Sequence, residues 1–321
     1  MPATSRRRIA PAGWALLAGL AALLALWAKA LPGETTRGEP RGPAATQPHH
    51  NPTSAPATFK VATYNILHLN RDLKEIAATI RKSQADLVCL QETNARSEQY
   101  LRKHLKDVYP HARFRRGSQA GGFGFLSKAP LQKVKYLPRK FGHFGTYLCQ
   151  VTLGGRAVQV ANVHLVATNP PRKADLAGLW DLQQKTESVR AKEIAYVHGK
   201  LPRKVPVILA GDLNSSPGWE APRFLKNKGF IDSLASARAD HASVVTWKWA
   251  RGDRAALRLD YLFHTKEIRT VSSKVLTSEA SDHSLVVSEM TWLSDPASRP
   301  TTRPGAETKD AAPETRPGED G

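Results

Sequence analysis

Val207-Ile208-Leu209-Ala210-Gly211-Asp212-Leu213-Asn214-Ser215-Ser216-Pro217 runs from four apolar residues through a glycine into a carboxylate, an amide and a Ser-Ser-Pro stop. The apolar run is too short for a helix and is bounded by a breaker, so it reads as a buried strand. Asp212 and Asn214 then stand at the strand's end, where a rigid sheet holds side chains in fixed positions over a cleft. Taken alone, the pair also suits a turn and helix cap ahead of Ser215-Ser216-Pro217.

The same arrangement recurs along the chain. Asn65 follows Val61-Ala62-Thr63-Tyr64, and Glu92 follows Leu87-Val88-Cys89-Leu90-Gln91. His164 interrupts the run Val160 to Val166, Asp260 sits within Leu259 to Phe263, and Asp282-His283 precedes Leu285-Val286-Val287. Each residue has an ordinary use: a turn asparagine, a solvated acid, a core histidine with a satisfied hydrogen bond. Their number changes the reading, because carboxylates gathered beside a core are costly unless they are paired or bind a cation.

Between Phe59 and Leu293 the pattern alternates. Phe59–Ile66, Leu87–Leu90, Phe123–Leu126, Thr146–Val151, Val158–Val166, Val207–Ala210, Val244–Trp249, Leu259–Phe263 and Leu285–Trp292 read as strands. Asp72–Lys82, Ser97–Lys106, Lys173–His198 and Glu220–Lys228 read as amphipathic helices. Strands outnumber helices about two to one, which suits two packed sheets with helices outside. No internal repeat is visible.

A chain of 321 residues with 41% hydrophobic composition can bury a sizeable core, which excludes global disorder. One domain over residues 58–295 with appendages is sufficient. Arg6-Arg7-Arg8 precedes an uncharged Leu/Ala-rich stretch, residues 9–28, of bilayer-spanning length with Trp14 and Trp27 near its ends. Residues 1–30 are thus expected to be an export signal, retained as a membrane anchor or cleaved near Ala28-Lys29-Ala30, and the catalytic part is expected outside the cytoplasm. The anchor is the favoured form. Residues 31–57 and 296–321 are crowded with Pro and small residues and read as extended linker and tail. The net charge of +19 favours polyanionic or phosphorylated partners without choosing among them. Cys89 and Cys149 lie inside apolar runs and are expected to be buried thiols.

Thr63-Tyr64-Asn65-Ile66, Leu90-Gln91-Glu92-Thr93, Asn162-Val163-His164-Leu165, Gly211-Asp212-Leu213-Asn214-Ser215-Ser216-Pro217, Arg258-Leu259-Asp260-Tyr261 and Ser281-Asp282-His283-Ser284 occur in that order. Together they resemble the endonuclease/exonuclease/phosphatase superfamily across the whole core. The resemblance implies a four-layer α/β/β/α sandwich, two mixed sheets flanked by helices, with the site at one edge. It implies metal ligation by Glu92, Asn65 and Asp282, with Mg²⁺ or Mn²⁺ as the cation and Ca²⁺ as an alternative; oxygen donors suit such hard ions. It places Asp212 and Asn214 beside an attacking water and His283, held by Asp260, against the phosphate, the base role being open between Asp212 and His283. His164, in Asn-x-His-Leu, resembles the deoxyribonuclease, sphingomyelinase and phosphatase branches, where this histidine is the candidate general acid.

Arg113, Arg115 and Arg116 form a basic cluster suited to a phosphate backbone. Gly121-Gly122-Phe123-Gly124 suits either close approach to a phosphate or a tightly packed strand, packing being favoured. Trp247 and Trp249 share one strand face and are expected to pack rather than stack on bases. The resulting expectation is a monomeric, metal-dependent nuclease acting on DNA or RNA. A sphingomyelinase-type lipid phosphodiesterase and a non-catalytic phosphate-binding module are the alternatives.

Overall fold

The protein is described here by a computed structural model covering residues 57–168, 176–248 and 256–293. The export segment, the linker up to residue 56, Trp249 and the tail beyond residue 293 lie outside the described residues.

Strand β1 (Thr58–Asn65) runs parallel to β2 (Leu87–Gln91), and helix α1 (Leu73–Ser83) makes the crossover. The helix forms because Leu73, Ile76, Ala77 and Ile80 repeat at helical spacing and all bury on the sheet. Asp72 caps it, its carboxylate accepting from the Glu75 amide at 3.0 Å. Helix α2 (Ala95–His104) starts with a reciprocal capping box between Asn94 and Ser97. The sheet is completed by β3 (His111–Arg115), β4 (Phe123–Ser127), β13 (Ile268–Leu276) and β14 (Leu285–Trp292), in the order β13-β14-β1-β2-β4-β3.

The second sheet repeats the plan. Its order is β5-β6-β7-β8-β12-β9, from β5 (Gln132–Leu137), β6 (Thr146–Leu153), β7 (Arg156–His164), β8 (Val207–Asp212), β9 (Ile231–Asp232) and β12 (Asp260–His264). Helix α3 (Leu176–Lys200) joins β7 to the parallel β8, and α4 (Glu220–Asn227) and α5 (Ser233–Ala237) follow. A small ribbon pairs β10 (Trp247–Lys248) with β11 (Ala256–Leu257).

Three apolar layers hold these elements together. Phe59, Val61, Cys89 and Phe125 of the first sheet meet Tyr147, Cys149, Val160 and Ile208 of the second. The Phe125 and Tyr147 rings stack there at 4.9 Å. Alternate residues of the same strands face outward: Ala62, Tyr64, Val88 and Leu90 pack on α1 and α2, while Ala161, Val163 and Leu209 pack on α3 and α4. Central strands are therefore apolar on both faces, which is why they read as continuous runs. The architecture is the expected four-layer sandwich, and Cys89 and Cys149 are buried free thiols within it.

The strands missing from the sequence reading are β11 of the small ribbon and the edges of the two sheets. Strands β3, β13, β5 and β9 terminate the two sheets, and each is partly solvent-facing. Sequences such as Gln132-Lys133-Val134-Lys135 carry charge where a central strand carries Val or Ile, a pattern that protects open edges and hides them from a search for apolar runs.

Candidate active site

Parallel strands point their C-terminal ends the same way, and both crossovers, β1 to β2 and β7 to β8, deliver polar residues to one end of the sandwich. Asn65 closes β1, Glu92 follows β2, His164 closes β7 and Asp212 closes β8. Beneath them a buried bridge ties the sheets: Gln91 Nε2 donates to Asn162 Oδ1 at 2.7 Å and to Thr63 Oγ1 at 3.0 Å, while Asn162 Nδ2 donates to the Leu90 carbonyl at 2.9 Å. Gly211 permits the close approach of β8 to β7, since a Cβ there would stand 1.9 Å from the Val163 carbonyl oxygen at a φ of +150°.

Asn65 sits at the junction. Its Nδ2 donates to Glu92 Oε1 at 3.0 Å and to Asp212 Oδ2 at 3.1 Å, and its Oδ1 accepts from the Leu67 amide at 3.1 Å. Asp212 Oδ1 accepts the Asn214 amide at 2.8 Å, and Asn214 Nδ2 donates to the Leu165 carbonyl at 3.0 Å. Glu92 and Asn214 hold left-handed backbone, φ +58° and +50°, a conformation that costs a non-glycine residue free energy and gathers at functional sites.

The histidines converge on the same carboxylates. His283 Nδ1 lies 2.9 Å from Asp260 Oδ2, and its Nε2 lies 3.6 Å from Asp212 Oδ2. His164 Nε2 is 3.6 Å from Asp212 Oδ2 and 3.9 Å from Glu92 Oε1. Burial works against the charged form of His283, but Asp260 and Asp212 outweigh it and raise its pKa to about 10. Burial raises the Asp260 carboxyl above its ordinary value, against the pull of His283. For Glu92, burial also pushes upward, yet His164 and the bonds from His68 prevail and the net is below the ordinary value.

Asp282 hangs from β10, its Oδ2 accepting from Trp247 Nε1 at 3.1 Å. Its Oδ1 is buried with no hydrogen-bond partner among the described residues, and burial raises its pKa. Among the described residues, Asp212, Asp260 and His283 form an acid and imidazole set whose ligand atoms lie within 4.8 Å of one another. Within the assigned metal set, Asn65 and Glu92 touch, whereas Asp282 reaches Glu92 only electrostatically. Buried carboxylate and amide oxygens, one of them unpartnered, are a donor set that fits a hard divalent cation.

The arginines are engaged elsewhere. Arg113 donates to the Ala112 carbonyl, Arg115 lies 3.5 Å over the Tyr136 ring, and Arg116 pairs with Glu98 at 3.0 Å, all on the β3 edge. Gly122 is required by packing, as a Cβ there would stand 1.8 Å from the Thr93 carbonyl oxygen. Trp247 packs against the site through Asp282.

A model of the Endonuclease/Exonuclease/phosphatase family matches residues 62–283. The chain belongs to that family. Sphingomyelin phosphodiesterase 2 of Mus musculus is 26% identical over 173 residues, 50% of this chain and 41% of that protein; the chain spans about two fifths of the relative's length. Among solved structures, the endonuclease/exonuclease/phosphatase of Beutenbergia cavernae superposes with a TM-score of 0.56 at 21% identity, covering 74% of this chain and 72% of that one. Truncated TDP2 of Caenorhabditis elegans superposes at 0.57 and 18% identity, covering 74% and 98%. These likenesses show the fold, and members of the family hydrolyse phosphoester bonds.

Family motifs did not reveal every residue of the cluster. His68 donates its amide to Glu92 Oε2 at 3.1 Å and places Nδ1 at 2.7 Å from the same oxygen. Phe144 stacks on the His164 ring at 4.3 Å. Thr246 Oγ1 accepts from the Asp260 amide at 3.0 Å. His68 was within reach of sequence reasoning, three residues beyond Asn65; Phe144 and Thr246 were not, because only the fold brings them there.

Proposed function

We propose that the chain is a metal-dependent phosphodiesterase that cleaves polynucleotides outside the cytoplasm. One observation carries the hydrolytic reading: Glu92, Asn65, Asp212, Asn214, His164 and the Asp260–His283 pair meet at one end of the sandwich within mutual hydrogen-bonding or ion-pair range. A simple phosphate-binding module has no need of two histidines facing buried carboxylates. The net charge of +19 supports a polyanionic substrate, and the leader at residues 9–28 supports export, with a retained anchor preferred to cleavage.

A divalent cation, Mg²⁺ or Mn²⁺, held by Glu92 and Asn65 with Asp282 would polarise the phosphoryl oxygen and offset charge in an in-line displacement. Asp212 orients and deprotonates the attacking water, with Asn65 and the Asn214 amide fixing its carboxylate. Asp260 and Asp212 raise the His283 pKa to about 10 and so favour its cationic form, which supports a role in stabilising charge developing on the phosphate, the base role being given to Asp212. Asn214 binds a phosphate oxygen. His164 protonates the leaving oxygen.

The decisive assay gives the full-length protein plasmid DNA, RNA, sphingomyelin vesicles and bis-nitrophenyl phosphate with Mg²⁺, Mn²⁺ or Ca²⁺, using Glu92→Ala as control. Cleavage of lipid but not nucleic acid overturns the substrate. Activity that survives both a chelator and Glu92→Ala sinks the metal mechanism. His164→Ala is expected to lower turnover on poor leaving groups far more than on nitrophenyl esters, and equal losses would remove its acid role. A sphingomyelin-type lipid substrate is the second reading, favoured by the mouse relative and by Leu69, a 72% exposed apolar side chain beside His68.

A further inference from the structure

No acidic residue occurs between Asp107 and Asp175. That stretch builds β3 through β7, including the loop Pro138–Gly145 that joins β5 to β6. The loop borders the site. Phe144 stacks on His164 and is flanked by Gly121, whose Cβ position lies 3.4 Å from the ring; the Gly145 amide donates to Tyr136 Oη at 3.1 Å.

The outer half of the loop presents Arg139 and Lys140 to solvent. Lys140 Nζ lies 5.6 Å from the Phe141 ring centre and 5.7 Å from that of Tyr196 on α3, and Lys200 Nζ lies 5.7 Å from Tyr196 on the same helix. Phe141 and Tyr196 meet edge to face at 6.5 Å. Glu193 is the only acid between Glu187 and Asp212, and it is buried, with Oε2 accepting from the Val166 amide at 3.0 Å. The surface leading outward from His164 is therefore cationic with aromatic rings set into it.

We propose that Arg139, Lys140 and Lys200, with Phe141 and Tyr196, form a track for one strand of a polynucleotide running away from the scissile phosphate past His164. This rests on the polynucleotide reading given above and specifies which flank of the cleft holds the strand. The cations take successive phosphates and the rings offer faces or edges to bases, the combination by which single strands are held without sequence preference. A membrane surface suits the patch less well. Entry into lipid needs protruding apolar side chains, and among the described residues none of the exposed large hydrophobics, Leu69, Trp180, Ile231, Val271 or Leu293, lies in it.

The test uses full-length protein carrying Glu92→Gln, so that binding is read without cleavage, and a fluorescent 12-nucleotide single strand. Adding Arg139→Gln and Lys140→Gln is expected to raise Kd about tenfold and to reduce the slope of log K against log salt by roughly 1.4, two phosphate contacts at about 0.7 each. Arg139→Lys with Lys140→Arg, which keeps the charge, is expected to restore both. In otherwise wild-type protein the neutral pair is expected to lose most of the kcat/KM advantage of the 12-mer over a dinucleotide, through KM. Unaltered Kd and salt slope in a double variant with native circular dichroism would remove the track while leaving nuclease activity standing. Wild-type protein that cleaves no polynucleotide overturns the nuclease reading and the track with it. Loss of binding to phosphatidylserine vesicles in the double variant, with oligonucleotide binding intact, assigns the patch to membrane and overturns the proposal.

Discussion

Two groups of buried or half-buried carboxylates lie on either side of the end of β7, and they are built on opposite plans. On the helix side, Glu187 accepts from Ser215 Oγ and the Ala221 amide through one oxygen and pairs with Arg190 Nη1 at 2.8 Å through the other. Arg190 is itself spent on the Val166 carbonyl at 2.8 Å and Thr168 Oγ1 at 2.6 Å. On the cleft side, Glu92, Asp212, Asp260 and Asp282 share three histidines, His68, His164 and His283, and an asparagine, and one oxygen each of Asp260 and Asp282 has no partner among the described residues. A closed network supports structure. One left short of partners stores unfavourable burial that a cation or substrate can relieve.

The contrast can be broken by substitution. Asp212→Ala is expected to lower kcat by about 10²–10⁴-fold, the range for loss of a positioned base, with native circular dichroism retained. Arg190→Met should do the reverse, costing about 3–5 kcal/mol in urea unfolding because Glu187 is left charged and buried. Activity per folded molecule should survive it. A large kinetic loss without destabilisation at Arg190, or unfolding at Asp212, would erase the distinction.

Glu193 departs from the helix-side plan, since its buried Oε1 has no hydrogen-bond partner among the described residues. Burial raises its pKa from 4.5 to about 7, with the Val166 amide and Arg190 only partly opposing. The folded state therefore holds this proton more tightly than the unfolded chain. Its contribution is complete below about pH 4.5 and is lost as pH rises through about 7. Glu193→Gln keeps an acceptor for Val166 and should stabilise the protein by about 1–3 kcal/mol at pH 8, with no gain at pH 4. Thermal unfolding at the two pH values checks this; equal gains at both would mean that burial of charge is not the cause. Asp282→Asn, the cleft counterpart, removes a carboxylate whose charge burial disfavours, so it should raise the stability of the metal-free protein at neutral pH and weaken Mg²⁺ activation, read from the metal concentration giving half-maximal rate.

The central strands were legible because their own residues are apolar on both faces, so Val207–Ala210 and Leu87–Leu90 stand out without knowledge of their neighbours. The edges were not, since Gln132–Leu137 and His111–Arg115 form strands only because a partner strand offers hydrogen bonds on one side. Helix boundaries followed their caps to within a few residues where caps exist: Asp72 and Asn94 place the starts of α1 and α2.

From its residues alone, the chain declared alternating strands and helices and a set of polar residues at strand ends, and their order carried the family resemblance. Such features depend on local pattern, which each segment carries by itself. Tertiary structure decided what those residues touch: that Asn65 bridges Glu92 and Asp212 across the two sheets, that His68 reaches Glu92, that Phe144 packs on His164, and that Gln91 meets Asn162 in the core. These contacts join residues up to 147 positions apart. Hydrogen bonds and ring stacking act over a few ångströms of space, and only the packing of one sheet on the other brings such residues within that range.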